Sequence, residues 1–249
     1  MVQNYTVWVE KKAYPVVVSD EREALLAAKA AGRVFVALYT ENPKQEMLWD
    51  AEYIAAPEAI CPEYLERIVR RHIGLPWIIA ETNRLLIREF TPDDIAQMPE
   101  EPDAWYTEEE RIADKVFYDK DKLEAYIKSQ YRFYEYGIWA VVRKADGVIV
   151  GKAGVTNLEE SEHGEFSNKT IPTEESAEYL ELGYHIFRPY RRQGYAEEAC
   201  RAILNYAKEE LACPVCARVA KENTASIQLL EKLKLPYFTI DCKRKTYMK

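Results

Sequence analysis

The chain has 249 residues, 48% of them apolar, with 34 basic against 42 acidic side chains and a formal net charge of −8. That length accommodates one large or two modest domains with a real core, and the acidic balance argues against a nucleic-acid backbone as a partner. Neither a membrane span nor export is expected: no apolar run reaches roughly 18 residues, and the first residues lack a charged-then-apolar signal pattern. Five cysteines at irregular spacing, an odd number, argue against a disulfide framework and fit a reducing, cytoplasmic setting.

Residues 14–18, Tyr-Pro-Val-Val-Val, are a β-branched run suited to a buried parallel strand. An Ala-rich helix follows, with Ser19 or Asp20 as its cap and Gly32 as its stop. Residues 34–38 form a second apolar strand and 51–55 a short third. Pro62 opens a helix through residue 71, which ends at Ile73-Gly74-Leu75-Pro76. That Gly/Pro pair marks the boundary between a small parallel α/β lobe, residues 1–76, and a second domain, residues 77–249.

In the first lobe, Val16-Val17-Val18-Ser19-Asp20 followed by Ala27-Ala28-Lys29-Ala30-Ala31-Gly32 resembles the later half of haloacid-dehalogenase-type phosphatases. The resemblance implies that Asp20 matches an aspartate that helps to bind magnesium. The second acid of that family falls on Ala24 here, and its nucleophile motif, Asp-x-Asp-x-Thr after an apolar strand, is missing. Asp119-Lys120-Asp121 belongs to the other domain and starts a helix. The lobe is therefore expected to be degenerate and non-catalytic, with a structural or substrate-presenting role.

From residue 82 the order changes. Residues 83–89 alternate as a strand, and Thr91-Pro92-Asp93-Asp94 caps a short helix. A helical region over 121–136 precedes two apolar runs, 138–143 and 148–155, joined around Ala145-Asp146-Gly147. Asp-Gly between apolar runs is the strongest hairpin signal in this sequence. The aromatic cluster Tyr126, Tyr131, Phe133, Tyr134, Tyr136 and Trp139 reads mostly as core, with an acceptor pocket as the alternative for one or two members. Residues 157–178, rich in Ser, Glu, Asn and Thr, form a long loop that is either a substrate lid or a solvated excursion.

A buried strand over 179–186 then runs into Ile186-Phe187-Arg188-Pro189-Tyr190-Arg191-Arg192-Gln193-Gly194-Tyr195-Ala196 and a helix over 194–211. A glycine turn that feeds directly into a helix leaves the first amides of that helix unpaired, with the positive end of the dipole behind them. Such a turn is a cradle for phosphate oxygens. Arg191 and Arg192 add permanent positive charge, and Gly194 lets the ligand come close. No Gly-x-Gly-x-x-Gly follows a strand, and no Gly-x4-Gly-Lys-Ser/Thr occurs.

Arg191, Gly194 and Ala196 meet the Arg/Gln-x-x-Gly-x-Gly/Ala pattern on which the GCN5-related N-acetyltransferases bind the diphosphate of acetyl-CoA. Two further segments carry the resemblance. The strand Glu181-Leu182-Gly183-Tyr184 is similar to one in the ribosomal-protein-alanine branch, and Val219-Ala220-Lys221-Glu222-Asn223-Thr224-Ala225-Ser226 looks like the next strand of the family, ending in Asn with Ser on a new helix. The resemblance covers residues 82–249. It implies an α/β chain whose second domain has the family's α+β fold around a mixed central sheet. It also implies acetyl-CoA as cosubstrate without a metal, and direct acetyl transfer to a primary amine of a small molecule or a peptide N-terminus.

By the same resemblance, the amides of Arg191, Arg192, Gln193, Gly194, Tyr195 and Ala196 hold the diphosphate. Ile186 and Phe187 pair with the pantetheine arm where neighbouring strands diverge, and Asn223 and Ser226 contact that arm or an ordered water. Glu181 is the candidate base, because a carboxylate near the interior is raised toward the range in which it accepts a proton from an ammonium, and Glu178, on the other side of Leu180, is the alternative outward-facing carboxylate. His185, on the same face, is either a relay or a packed residue. The tyrosine that protonates the leaving thiolate in many members is Leu230 here, and a usual glycine is Lys234. These departures leave an alternative, a catalytically weak acyl-CoA-binding module that recruits a partner. Cys213-Pro214-Val215-Cys216 lacks the second pair that a zinc site needs and reads as small buried residues.

Overall fold

A computed structural model of the chain describes residues 1–39, 51–99, 112, 114–157 and 179–235, with the backbone of 237–238 and 244–248. Most of the loop expected at 157–178 lies outside the described residues. Contacts divide the chain into two compact units, Met1–Trp77 and Ile78–Lys249.

In the first unit, β1 (Val2–Val9), β2 (Lys12–Ser19), β3 (Val34–Leu38) and β4 (Ile54–Ala55) form a sheet in that order. The last three are parallel, as expected of strands alternating with the helices α1 (Arg22–Ala30) and α2 (Pro62–His72). β1 is absent from the sequence reading and pairs antiparallel with β2, Val9 opposite Lys12. The turn between them is Glu10-Lys11 with both residues at positive φ, 49° and 66°. A two-residue hairpin demands that backbone, but Asn-Gly is its usual signature. The core is the valine run itself: Val16, Val18 and Val36 are fully buried against Ile68 of α2. α1 begins one residue later than expected, and Ser19 Oγ accepts from Glu21 N at 3.0 Å beside the cap.

In the second unit, β5 (Ile78–Glu81), β6 (Leu85–Arg88), β7 (Ile138–Arg143), β8 (Val148–Asn157), β9 (Leu180–Ile186), β10 (Val215–Ala220), β11 (Tyr237–Phe238) and β12 (Arg244–Met248) make one mixed sheet in the order β11-β12-β10-β9-β8-β7-β6-β5. Every neighbouring pair is antiparallel except β9 with β10. The Asp-Gly hairpin between β7 and β8 is present, with Gly147 at φ 72° and Asp146 Oδ1 held by Arg143 Nε at 3.0 Å.

Helix α3 (Lys120–Tyr126), capped by Asp119 through Lys122 N at 3.1 Å, continues as a π-helical stretch, Ile127–Tyr134. The buried phenols of that region brace the start of β7. Ile138 N donates to Tyr126 Oη at 2.6 Å, and Tyr131 Oη donates to Ile138 O at 2.5 Å. Tyr131 and Trp139 are thus core residues, whereas Phe133 and Tyr134 lie exposed.

Helix α4 (Tyr195–Glu209) covers the sheet face that carries Trp139, whose ring meets Tyr206 edge-on at 5.5 Å. It buries Ala199, Ile203 and Ala207, one turn apart, and Ile203 alone contributes about 2 kcal/mol. Helix α5 (Thr224–Lys232) follows β10.

Candidate active site

The parallel ladder between β9 and β10 consists of two registered pairs, Leu180 with Val215 and Glu181 with Cys216. Both strands continue past that point, but they no longer pair with each other. The other edge of β9 stays bonded to β8 from Asn157–Leu180 through Gly151–Ile186. One edge of β9 is therefore open over its second half, and a cavity of about 640 Å³ fills the gap, lined by β9, β10 and the first residues of α4 and α5. Unsatisfied main-chain groups along such an edge take a ligand's amides as a substitute strand.

At one end of the cavity stands the turn into α4. Gly194 is its N-cap at φ 82°, a left-handed conformation that suits glycine. The first helical bond is Glu198 N to Gly194 O at 3.1 Å, so the preceding amides have no helical acceptor, and Gly194, Tyr195 and Ala196 line the cavity. A clamp not anticipated from the sequence holds this turn. Arg84 Nη1 donates to Gln193 O at 3.0 Å, its Nε donates to Glu198 at 2.7 Å, and its guanidinium stacks over the Tyr195 ring at 4.7 Å. Thr82 Oγ1 and the Arg84 amide also donate to Glu198, at 2.7 and 2.9 Å. Burial works to raise the Glu198 carboxyl, but these bonds outweigh it and hold the group below the ordinary carboxylate range.

The arginines of the motif divide their work. Arg191 braces the end of β9, its Nε donating to Ile186 O at 2.8 Å and its Nη2 lying 3.1 Å from His185 Nε2. Both Arg191 and Arg192, the latter at φ 62°, line the cavity. Ile186 lines it too, but Phe187 does not: its amide is bonded to Val150 O at 3.0 Å and its ring stacks edge-on against His185. The Gln193 side chain also stays outside the lining, donating to Pro189 O at 3.3 Å. Asn223 and Ser226 line the far wall, where Asn223 Oδ1 caps α5 by accepting from Ser226 N at 3.1 Å.

Side chains alternate along β9, so Glu181, Gly183 and His185 share the face opposite Trp139 and α4. Cross-strand register adds Thr156, Gly154 and Lys152 of β8 to that face. Glu181 lines the cavity, and both its oxygens are taken by Arg218 of β10, at 2.9 and 2.5 Å. A bidentate guanidinium thus occupies both carboxylate oxygens, so an incoming amine reaches Glu181 only by displacing Arg218. The ammonium of Lys152 is paired with Asp114 and lies over the Phe117 ring at 4.6 Å. A lysine inside the apolar run 148–155 was the available signal for this residue, since unpaired lysines are almost never buried.

The aromatics that line the cavity are Phe117, Tyr184, Tyr190 and Tyr195, rather than members of the cluster at 126–139. Leu230, 1% exposed, lines it where a phenol was expected by resemblance. Cys216 is buried next to Glu181, and burial pushes its thiol up to about 12. Among the described residues no group of three or more His, Cys, Asp and Glu is placed to hold a metal ion, and no helix is long and apolar enough to cross a membrane.

The parallel ladder thus opens beside the N-terminus of α4. Residues 84–235 match the model of the acetyltransferase (GNAT) domain, so the chain belongs to the GNAT acetyltransferase family, whose acyl donor is acetyl-CoA. The uncharacterized protein YkkB of Bacillus subtilis (strain 168) is 29% identical over 105 residues, 42% of this chain and 53% of that protein. The match thus spans about half the length of this curated relative. Among solved structures, the acetyltransferase from Agrobacterium tumefaciens strain C58 is 19% identical, with 68% of this chain and 92% of that one covered at a TM-score of 0.47. The structure of yncA from Salmonella typhimurium with its cofactor acetyl-CoA is 14% identical, with 67% and 92% covered at 0.43.

Proposed function

We propose that the chain is an N-acetyltransferase that moves the acetyl group of acetyl-CoA to a primary amine by direct attack, without a metal. The observation that carries this reading is the parting of β9 from β10 after Glu181, with the amides of the Gly194 turn at one end of the gap. The diphosphate would lie on the turn from Arg191 to Ala196, and the pantetheine arm along the open edge of β9 beside Asn223 and Ser226. The acceptor is read as a cationic amine of a small molecule or a peptide N-terminus, approaching over the face that carries Glu181. An incoming ammonium competes with Arg218 for the Glu181 carboxylate, which frees that group to take the amine's proton. The Glu-x-Gly-Tyr wording of β9 favours the ribosomal-protein acetyltransferase branch. The first unit is assigned a structural or substrate-presenting role, in a cytoplasmic protein.

The alternative is a weakly catalytic acyl-CoA-binding module, and the apolar Leu230 at the place of the leaving-group acid favours it. Release of free thiol from acetyl-CoA with a panel of amines and basic peptides separates the two. The enzyme reading expects turnover with at least one class of amine and a loss of roughly 100-fold in kcat for Glu181→Gln. Binding of acetyl-CoA without thiol release on any amine leaves the module.

A further inference from the structure

The reaction outlined above leaves one buried primary amine of the cavity without a task. Lys152 stands on β8 opposite His185 of β9 and on the same face as Glu181. Its side chain is 6% exposed, and Asp114, from the segment preceding α3, supplies the partner carboxylate. The rings of Phe117 and Tyr118 close over the ammonium at 4.6 and 5.8 Å. The titratable groups of the same face are Glu181, already bound to Arg218, and His185, held against Arg191. Lys152 is the one lysine that lines the cavity among the described residues.

Burial lowers its ammonium to about 7. A substantial share of neutral amine at neutral pH makes a nucleophile. A cavity that fits an acyl thioester and an amine therefore already holds an amine of its own.

We propose that Lys152 is an internal acceptor: with acetyl-CoA bound and no external amine present, the protein acetylates itself at this position. The proposal rests on the acetyl-CoA reading of the same cavity. The ammonium first gives one proton to Asp114, and Nζ attacks the thioester carbonyl. The C–N bond forms as the C–S bond breaks, and the second proton leaves with the thiolate as free CoA. The proton on Asp114 passes to solvent, so no further reagent is needed. The product is an amide that does not pass the acetyl group on, so the event occurs once per chain. It also removes the cation that neutralises Asp114. A poorly hydrated carboxylate is then left beside the acceptor face, which favours an incoming ammonium.

The test is incubation of the full chain with acetyl-CoA alone, followed by intact mass and peptide mapping. The expected result is one acetyl group at Lys152, added at least about tenfold faster than at the exposed Lys144 and Lys208, because positioning outweighs access. The rate rises as pH passes through about 7, where the ammonium gives up its proton. Gly194→Glu, which removes the diphosphate cradle, abolishes the Lys152 product and leaves acetylation of the exposed lysines unchanged. Acetyl-CoA that binds by calorimetry while Lys152 reacts no faster than exposed lysines overturns this proposal alone. Absence of binding overturns the acetyltransferase reading with it.

Discussion

Each unit of this chain contains parallel strands, and the two sheets differ in how far the pairing runs. In the first unit β2 and β3 stay in register from Val16–Val34 to Ser19–Ala37, which uses the whole end of β2. The carboxylates beyond that end, Asp20 and Glu21, are both drawn to the Met1 ammonium. In the second unit β9 and β10 pair only as far as Glu181–Cys216, although both strands run on. A ladder that closes satisfies its own amides and carbonyls, and what remains is scaffold. A ladder that opens early leaves a gap between two strands inside the fold, and with a helix N-terminus at its end that gap is the candidate site.

Two glycines at positive φ let this contrast be broken, Gly194 at the open ladder and Gly32 at the end of α1. Gly194→Glu introduces a carboxylate at the proposed diphosphate cradle and forces a residue with a Cβ into φ 82°, that Cβ lying 3.3 Å from Arg84 Nη2. Acetyl-CoA affinity measured by calorimetry should fall at least about 100-fold, roughly 3 kcal/mol. Gly32→Ala, strained in the same way, should lower the melting temperature and leave acetyl-CoA affinity alone. Equal affinity losses from the two variants would mean that the turn at Gly194 acts through stability rather than as a ligand cradle.

A smaller effect tests what holds the cradle. Arg84 is half exposed, so its ion pair with Glu198 is screened and its Coulombic part is modest. Its worth lies in tying Gln193 O and the Tyr195 ring to β6. Arg84→Ala should weaken acetyl-CoA binding by about fivefold, roughly 1 kcal/mol, with a near-normal melting temperature. A large loss of melting temperature with unchanged affinity would make the clamp a fold element instead.

The same contrast explains what was legible in the sequence. The glycine turn into α4 was readable because local chemistry dictates it: a glycine turn, two arginines and an apolar helix occupy consecutive positions. The hairpin at Asp146-Gly147 was readable for the same reason, and β1 was not, because Glu10-Lys11 takes a glycine-type turn without glycine. The groups that reach the site through register stayed hidden. Lys152 and Arg218 meet His185 and Glu181 across the sheet, and Arg84 meets Glu198 of α4, only once segments distant in sequence lie side by side. No spacing within one segment encodes that meeting. The aromatic cluster at 126–139 was read mostly as core, and Tyr126 and Tyr131 do turn inward to bond Ile138.

The smallest effect concerns the end of α5, past the opened ladder. Lys234 occupies the position at which the family usually has glycine, and its φ of 59° is the left-handed conformation that glycine adopts without cost. The helix end is otherwise closed normally, with Leu233 N bonded to Leu229 O at 2.9 Å and Leu235 N to Leu230 O at 3.2 Å. Lys234→Gly trades roughly 1 kcal/mol of backbone strain for the larger entropy of an unfolded glycine. The variant should therefore be more stable by a few tenths of a kcal/mol, as read by denaturant midpoint. Because Leu230 sits one turn earlier and lines the cavity, acetyl-CoA affinity reports whether the two are coupled. An unchanged affinity with a raised midpoint would place Lys234 on the closed, purely structural side of the comparison, and a loss of affinity would place it with the site.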